Sequence, residues 1–294
     1  MICEVIKNDC IEYLGSTKYI FDLTFLDPPF NQNKKYNSHN DKMDTAEYWT
    51  WMKKACNKIL ERTSDGGAIY FMQREKNAEQ VITVLQETGW TFQNLIIWKK
   101  KTSAVPCNSK YGKHYQIIVF ATKGRKPRVF HKLRIDPPLL VTEKYHRPNG
   151  IYVTDVWNDI RELTSGYFAG EEPIRLPNGE RLHNQQSPIQ LLLRIILSSS
   201  SPGDFVLDPF AGTATTCVVS RQLNRNSIGI EKDELYFQNC LKRLNEFRDI
   251  DNINRFKKDY KYTKNLKSIW GTANIEETAP PLPLLQLFDS KNKS

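Results

Sequence analysis

At 294 residues and 39% hydrophobic content, the chain is long enough for one large domain or a domain carrying an insertion. No stretch approaches the ~20 apolar residues of a membrane span, and the opening "MICEVIKNDC" lacks a signal-peptide core, so a cytoplasmic protein without a membrane partner is expected. Six cysteines with no CxxC pair suggest neither a disulfide framework nor a zinc site, and no metal is expected. The net charge of +9 sits in one segment: Lys99 to Arg134 holds 11 basic residues and no acidic one, against 31 basic and 33 acidic elsewhere. Charge runs are usually solvated faces, but this one-sided run, interleaved with Tyr111, Tyr115, Phe120 and Phe130, reads as a surface for a polyanion such as nucleic acid.

In chain order, "CEVI" is a short strand and "YIFDLTFLD" a strong one. Thr45 to Arg62 reads as a helix with Trp49, Met52, Cys56 and Ile59 on one face. "SDGGAIYFM" gives a turn and a strand, Glu75 to Thr88 a helix, and "FQNLIIW" and "YQIIVFA" two further strands. From Lys123 to about Leu182, prolines at 127, 137, 138, 148, 173 and 177 break the pattern into loops. Periodicity returns in "SPIQLLLRIIL", a helix with proline in its first turn. The strand "DFVLD", a helix from about Thr213, the strand "SIGIE" and a helix from Asp233 follow. Seven strands alternating with helices imply an α/β fold with a mostly parallel sheet covered on both faces. The expected division is 1–122 for the first half of that domain, 123–182 for an insertion, 183–250 for the second half and 251–294 for an extension. Within the extension, "APPLPLLQLF" reads as a docking or disordered tail.

Two stretches carry the chemistry. In "VLDPFAGTATT" a buried strand ends in Asp208, and a small-residue loop with Phe210, Gly212 and Thr213 opens a helix. Ligands of open α/β sheets bind at such strand ends, where a glycine lets backbone approach, and the next strand ends in Glu231, the usual place for an acid that bonds ribose hydroxyls. Loop and acid together point to an adenosine-containing cofactor without separating a dinucleotide from S-adenosylmethionine. The second stretch makes the choice. In "FDLTFLDPPF" a strand ends in Asp27, held by Pro28 and Pro29, with Phe30 beside them. An exocyclic amino group on a base is a poor nucleophile, because its lone pair is delocalised into the ring. Hydrogen bonds to a carboxylate and a rigidly aimed carbonyl would localise that pair, and Asp27 and the Pro28 carbonyl supply both acceptors. Phe30 offers a face for a flipped-out base.

With these motifs in this order, the sequence resembles the amino-type DNA methyltransferases whose catalytic motif precedes the cofactor motif. The resemblance covers about residues 3–247 and includes "HNQQSPIQLLLRII", similar to the family's helix before the cofactor loop. It also includes "NDCIEYL", whose Asp9 and Cys10 it places against the cofactor adenine. It implies a circularly permuted Rossmann-like fold, S-adenosylmethionine as cofactor, double-stranded DNA as partner, and residues 123–182 as a target-recognition region. A companion restriction endonuclease and a homodimer belong to the same resemblance, though no heptad or long apolar stripe carries a dimer. Aspartate at the head of "DPPF" favours adenine N6, since the family's cytosine-N4 members more often begin with serine. Cytosine N4, an RNA or protein amide methyltransferase, and an inactive DNA-binding module are the alternatives. The chain departs from the family pattern at Ala214, where glycine is usual, and at Ser187, where lysine is usual.

Other features take plainer readings. "IDPPLL" at 135–140 lacks the aromatic and reads as a rigid turn, and Cys107 in "VPC" is expected to be structural. His114 and His131, among lysines, are expected to meet phosphate or solvent. Tyr36 either lines a base pocket or caps a loop.

Overall fold

The structure, a computed structural model, describes residues 1–31, 43–102, 107–138, 147–163, 170–183 and 185–271. All seven expected strands form: β1 (Cys3–Lys7), β2 (Phe21–Leu26), β3 (Thr63–Gln73), β4 (Trp90–Lys99), β5 (Tyr115–Lys123), β9 (Phe205–Asp208) and β10 (Asn226–Glu231). Between β5 and β9 the described residues form three two-residue strands, β6 (Arg134–Ile135), β7 (Ile151–Tyr152) and β8 (Val156–Trp157). β6 and β7 pair with each other, whereas β8 joins the main sheet, which therefore has eight strands rather than seven, in the order β1-β10-β9-β2-β3-β5-β4-β8. β5 runs antiparallel to β3 and β4, and the remaining pairs of this sheet are parallel. β9 and β10, late in the chain, sit between β1 and β2. That is the permuted order expected for the fold.

Strand alternation explains the two cores. In β3, Ala68, Tyr70 and Met72 face one side of the sheet with Leu23 and Phe25 of β2, and they join the residues of α4 (Ile189–Ser199). Ile69 and Phe71 face the other side, against α1 (Cys10–Ser16), α2 (Thr45–Glu61) and α3 (Ala78–Glu87). α2 starts at Asp44, whose carboxylate accepts from the Ala46 and Glu47 amides, and it buries Tyr48, Met52, Ala55, Cys56 and Ile59. The helix expected from Glu75 begins as a 3-10 turn over Glu75–Asn77, and the one expected from Thr213 begins two residues later as α5 (Thr215–Gln222). α6 (Glu234–Asn245) is capped by Asp233.

Two expectations about organisation are corrected. The chain after residue 251 is no extension up to the end of the described region: Ile253, Tyr260, Ile269 and Trp270 are buried in the core with α4. A 3-10 segment, Ile253–Tyr260, and α7 (Leu266–Trp270) carry them, because their apolar spacing is masked in sequence by intervening lysines. The segment "APPLPLLQLF" lies outside the described residues.

The basic run is also not one surface. β5 reverses direction, so Lys99, Lys100 and Lys101 and the connection carrying Lys110 and Lys113 lie at the end of the sheet where β2 and β3 finish. Lys123, Arg125, Lys126 and Arg128 lie at the opposite end. Lys123 Nζ reaches the Thr63 carbonyl at the start of β3, and Arg128 pairs with Asp22 and Asp204 at 3.2 and 2.6 Å.

Candidate active site

Because β1, β10, β9 and β2 are adjacent and parallel, their carboxyl ends converge, and the loops leaving them enclose a cavity of about 560 Å³. Asp9 and Cys10 follow β1, Asp27, Pro28 and Pro29 follow β2, Phe210, Gly212 and Thr213 follow β9, and Asp208 and Glu231 end β9 and β10; all line this cavity. Ten of the eleven residues singled out from sequence are thus brought together.

Phe30 is the exception. Its ring is 2% exposed and belongs to the core cluster on the α4 side, away from the cavity wall. A phenylalanine next to two prolines at a strand end has two apolar destinations, and here the core takes it. In this structure Phe30 packs in the core and does not line the cavity.

The cofactor-type loop is held from three directions. Glu231 accepts from the Gly212 amide through one carboxylate oxygen and from the Asp233 amide through the other, both at 2.8 Å. Asp208 accepts from the Phe210 amide at 3.2 Å and from the Thr216 hydroxyl. Arg243, from α6, donates to the Thr213 carbonyl at 2.8 Å and to Thr215 Oγ1 at 2.9 Å. Its guanidinium is buried and forms a fork with Asp251 at 2.8 and 2.9 Å. Gly212 adopts φ +52°, as the tight turn requires. Ala214, where the family has glycine, is also left-handed at φ 56° and fully buried. The strain of roughly 1 kcal/mol is offset by burying the methyl, worth a similar ~0.8 kcal/mol.

Five carboxyls, Asp9, Asp27, Asp208, Glu231 and Asp233, line the cavity, and three of them hold their protons more tightly than usual. Burial pushes Asp208 up to about 6, and the charge of Glu231 adds to the rise. Burial also raises Asp27 well above the usual carboxylate range, Asp208 adds to it, and a hydrogen bond from Ser187 Oγ to Oδ2 at 3.1 Å opposes it. Glu231 is raised by burial and by Asp233, against the pull of the amides it accepts. Asp9 caps α1 through the Ile11 amide at 2.9 Å, and burial followed by the neighbouring Asp9 charge pushes the Cys10 thiol up to about 12, so it stays neutral.

Sequence reasoning missed four cavity-related residues. Ser187 reaches Asp27 across 160 positions, and Trp51 meets Phe210 edge-on at 5.5 Å. Arg243 braces the loop from behind, and Tyr48 reaches the Pro29 carbonyl. Only Ser187 carried a signal, as the departure from lysine.

Cys107 is exposed and off the cavity, and Asp136 of "IDPP" pairs with Lys261 at 3.1 Å, also off the cavity. His114 and His131 bury their Nε2 atoms, contrary to the expectation of solvent. Tyr36 lies outside the described residues. No group of side chains suited to a metal occurs among the described residues, nor does a helix long and apolar enough to cross a membrane.

A permuted sheet with two acid-proline loops facing one cavity defines an amino-group methyltransferase, and the chain belongs to the N6/N4 DNA methylase family, whose model matches residues 21–242. Among its relatives is the type II methyltransferase M.HinfI of Haemophilus influenzae, 30% identical over 83% of this chain and 68% of that protein. The type II methyltransferase M.HpaI of Haemophilus parainfluenzae is 30% identical over 79% of this chain and 71% of its own length. In structure, the M1.HpyAVI–SAM complex aligns over 84% of this chain and all of that one, with 25% identity and TM-score 0.56. The cytosine-N4-specific PvuII DNA methyltransferase aligns over 88% and 91%, at 17% identity and TM-score 0.62, and shares the fold.

Proposed function

We propose that the protein transfers a methyl group from S-adenosylmethionine to the exocyclic amino group of a base flipped out of duplex DNA, with adenine N6 as the target. The observation that carries this is the facing of Asp27 and Pro28 towards the loop 208–213 and Glu231 across one cavity. The cofactor when bound supplies an electrophilic methyl on a cationic sulfur. The cavity fits such a group: three carboxyls with raised affinity for protons are short of positive charge, and a cation relieves their mutual repulsion. Asp27 and the Pro28 carbonyl accept the two amino hydrogens and localise the nitrogen lone pair. Glu231 is assigned to the ribose, Asp9 and Cys10 to the adenine edge, and Phe210 to its face. Aspartate at the head of "DPPF" supports adenine over cytosine. Labelled cofactor incubated with mixed duplex DNA, followed by nucleoside mass spectrometry, tests the reading. N6-methyladenine is expected, N4-methylcytosine would reassign the base, and unlabelled DNA would refute the activity.

Three further outcomes are expected. Glu231→Ala should raise the Kd for S-adenosylmethionine tenfold to a hundredfold, from the loss of a charge-assisted bond of about 1.5–3 kcal/mol, as read by calorimetry. Cofactor affinity should weaken as pH falls through about 6, where Asp208 takes up its proton. The sign follows from the raised value: the cation prefers the ionised carboxyl, so protons compete with it, by up to about tenfold per pH unit per group. An affinity flat between pH 7 and 5 would contradict this. Lastly, DNA should meet the catalytic end of the sheet. Replacing Lys99, Lys101 and Lys110 together with glutamine should flatten the salt dependence of DNA binding by about 0.9 in log–log slope for each phosphate no longer neutralised. Arg125 and Lys126, at the other end, should leave it unchanged when replaced.

A further inference from the structure

Two consecutive prolines have no N–H to donate, so the Asp27–Pro28–Pro29 stretch cannot be pinned by donating to a neighbour from either proline. Hydrogen bonds can hold its prolines only through their carbonyls. Ser187 takes Asp27 Oδ2, and Tyr48 Oη donates to the Pro29 carbonyl at 2.8 Å. Behind Tyr48 stands Gln73, the last residue of β3, whose Nε2 donates to Tyr48 Oη at 2.9 Å. The polarity of this chain is fixed at its far end. The Arg74 backbone N–H gives its hydrogen to Gln73 Oε1 at 2.9 Å, and a backbone amide only donates, so Nε2 is the donating side of the side-chain amide. The Tyr48 hydroxyl therefore receives a hydrogen from Gln73 and gives its own to Pro29.

The relay is buried: Gln73 is 0% and Tyr48 2% exposed, in surroundings where such bonds hold geometry firmly. It joins three elements, since Tyr48 comes from α2, Gln73 from β3, and Pro29 follows β2, the strand beside β3. Among the described residues no hydrogen bond reaches the Pro28 carbonyl or Asp27 Oδ1. With Asp27 Oδ2 and the Pro29 carbonyl occupied, these two acceptors remain.

We propose that Tyr48, oriented by Gln73, is a positioning residue for methyl transfer: by locking the Pro29 carbonyl it aims the Pro28 carbonyl and Asp27 at the target amino group. The proposal rests on the methyl-transfer reading above. Tyr48 lines the cavity, and its role is to act through the Pro29 carbonyl that its hydroxyl holds. It selects which acceptors the substrate finds.

The test uses the full chain and duplex DNA. Tyr48→Phe keeps the ring and its edge contacts with Trp49 and Trp51 at 5.1 and 5.9 Å, and removes only the hydroxyl. The single-turnover rate of methyl transfer should fall about 10- to 100-fold, the scale of a small misplacement, while the Kd for S-adenosylmethionine stays within about twofold. Gln73 supplies a second, sharper measurement. Gln73→Leu cannot accept a hydrogen, so the Tyr48 hydroxyl keeps Pro29 as its partner and the rate should drop by no more than about threefold. Gln73→Glu installs an acceptor that draws the Tyr48 hydrogen away from Pro29, so its loss should approach that of Tyr48→Phe. Combined with Tyr48→Phe it should add almost nothing. Raising the acidity of the buffer should partly rescue Gln73→Glu alone, because the protonated carboxyl can donate as the amide did.

A Tyr48→Phe rate within about twofold of wild type would overturn the proposal. So would a cofactor Kd that rises in step with the rate loss, or Gln73→Leu proving as damaging as Gln73→Glu, since a merely structural role follows melting temperature and not hydrogen-bond polarity. A wild-type protein that labels no DNA would instead refute the methyl-transfer reading itself, and this proposal with it. That result is distinct from an active wild type beside an equally active variant.

Discussion

Asp27→Ala should lower the single-turnover rate of methyl transfer by at least about a thousandfold, with the Kd for S-adenosylmethionine within about threefold of wild type. The expectation rests on the position of the carboxylate. Asp27 follows directly on β2, its side chain is oriented by Ser187 Oγ, and two prolines keep it from swinging away. An acceptor preorganised where charge develops contributes to the transition state and little to cofactor binding, so its removal appears in the rate. Asp27→Asn, which retains one acceptor oxygen without the charge, should fall between the two. Rapid-quench measurement with labelled cofactor reads both quantities. A near wild-type rate for the alanine variant would remove Asp27 from the catalytic role. A rise in Kd matching the fall in rate would move it to the cofactor.

Asp251→Ala should destabilise the fold by about 3–5 kcal/mol, a large share of the ~5–15 kcal/mol that holds a typical domain. Asp251 and Arg243 are 1% and 4% exposed and meet in a two-pronged contact, so removing the carboxylate leaves a guanidinium buried without its counter-charge. The same guanidinium holds the Thr213 carbonyl, so the damage reaches the cofactor loop and affinity should weaken along with stability. Replacing both partners by apolar residues, Arg243→Met with Asp251→Leu, should recover much of the stability but not the cofactor affinity. Thermal melts and calorimetry on the variants separate these effects. Equal melting temperatures for Asp251→Ala and wild type would show that water or another group compensates the arginine.

The strands and the two acid-proline loops are legible because each is a local signal: an apolar run, a turn former, a carboxyl at a strand end. Phe30 is not, because the sequence tells that an aromatic sits there and not which of two apolar environments receives it. The basic run from Lys99 to Arg134 misleads for a related reason. Proximity in sequence is not proximity in space, and β5 carries the chain from one end of the sheet to the other in nine residues. Arg243 and Tyr48 leave no trace, since what matters about each is a partner far along the chain or on another element, Asp251 for the one and the Pro29 carbonyl for the other. Residues after 251 look like a polar tail because Asn254, Arg255, Lys257, Lys258 and Asp259 stand between the two apolar residues, Ile253 and Tyr260, that the 3-10 segment buries.

The strand order has a consequence for how the chain is made. β2 is an interior strand of the finished sheet, flanked by β3 and β9, and β9 is encoded about 180 residues after it. During synthesis β2 and β3 can pair early, but the other side of β2, with its run of buried apolar side chains, has no partner until Phe205–Asp208 leaves the ribosome. At ~5–20 residues per second that delay is on the order of ten seconds or more. Throughout it the nascent chain presents an open hydrophobic strand edge, the feature that finished sheets cover to avoid pairing with other chains. Truncations ending before β9 should therefore aggregate, whereas a circular permutant beginning near Ser187 and joining the old termini would deliver β9 and β10 first. In such a permutant β9 is already made when β2 emerges, so β2 has a partner at once, and the chain should depend less on chaperones.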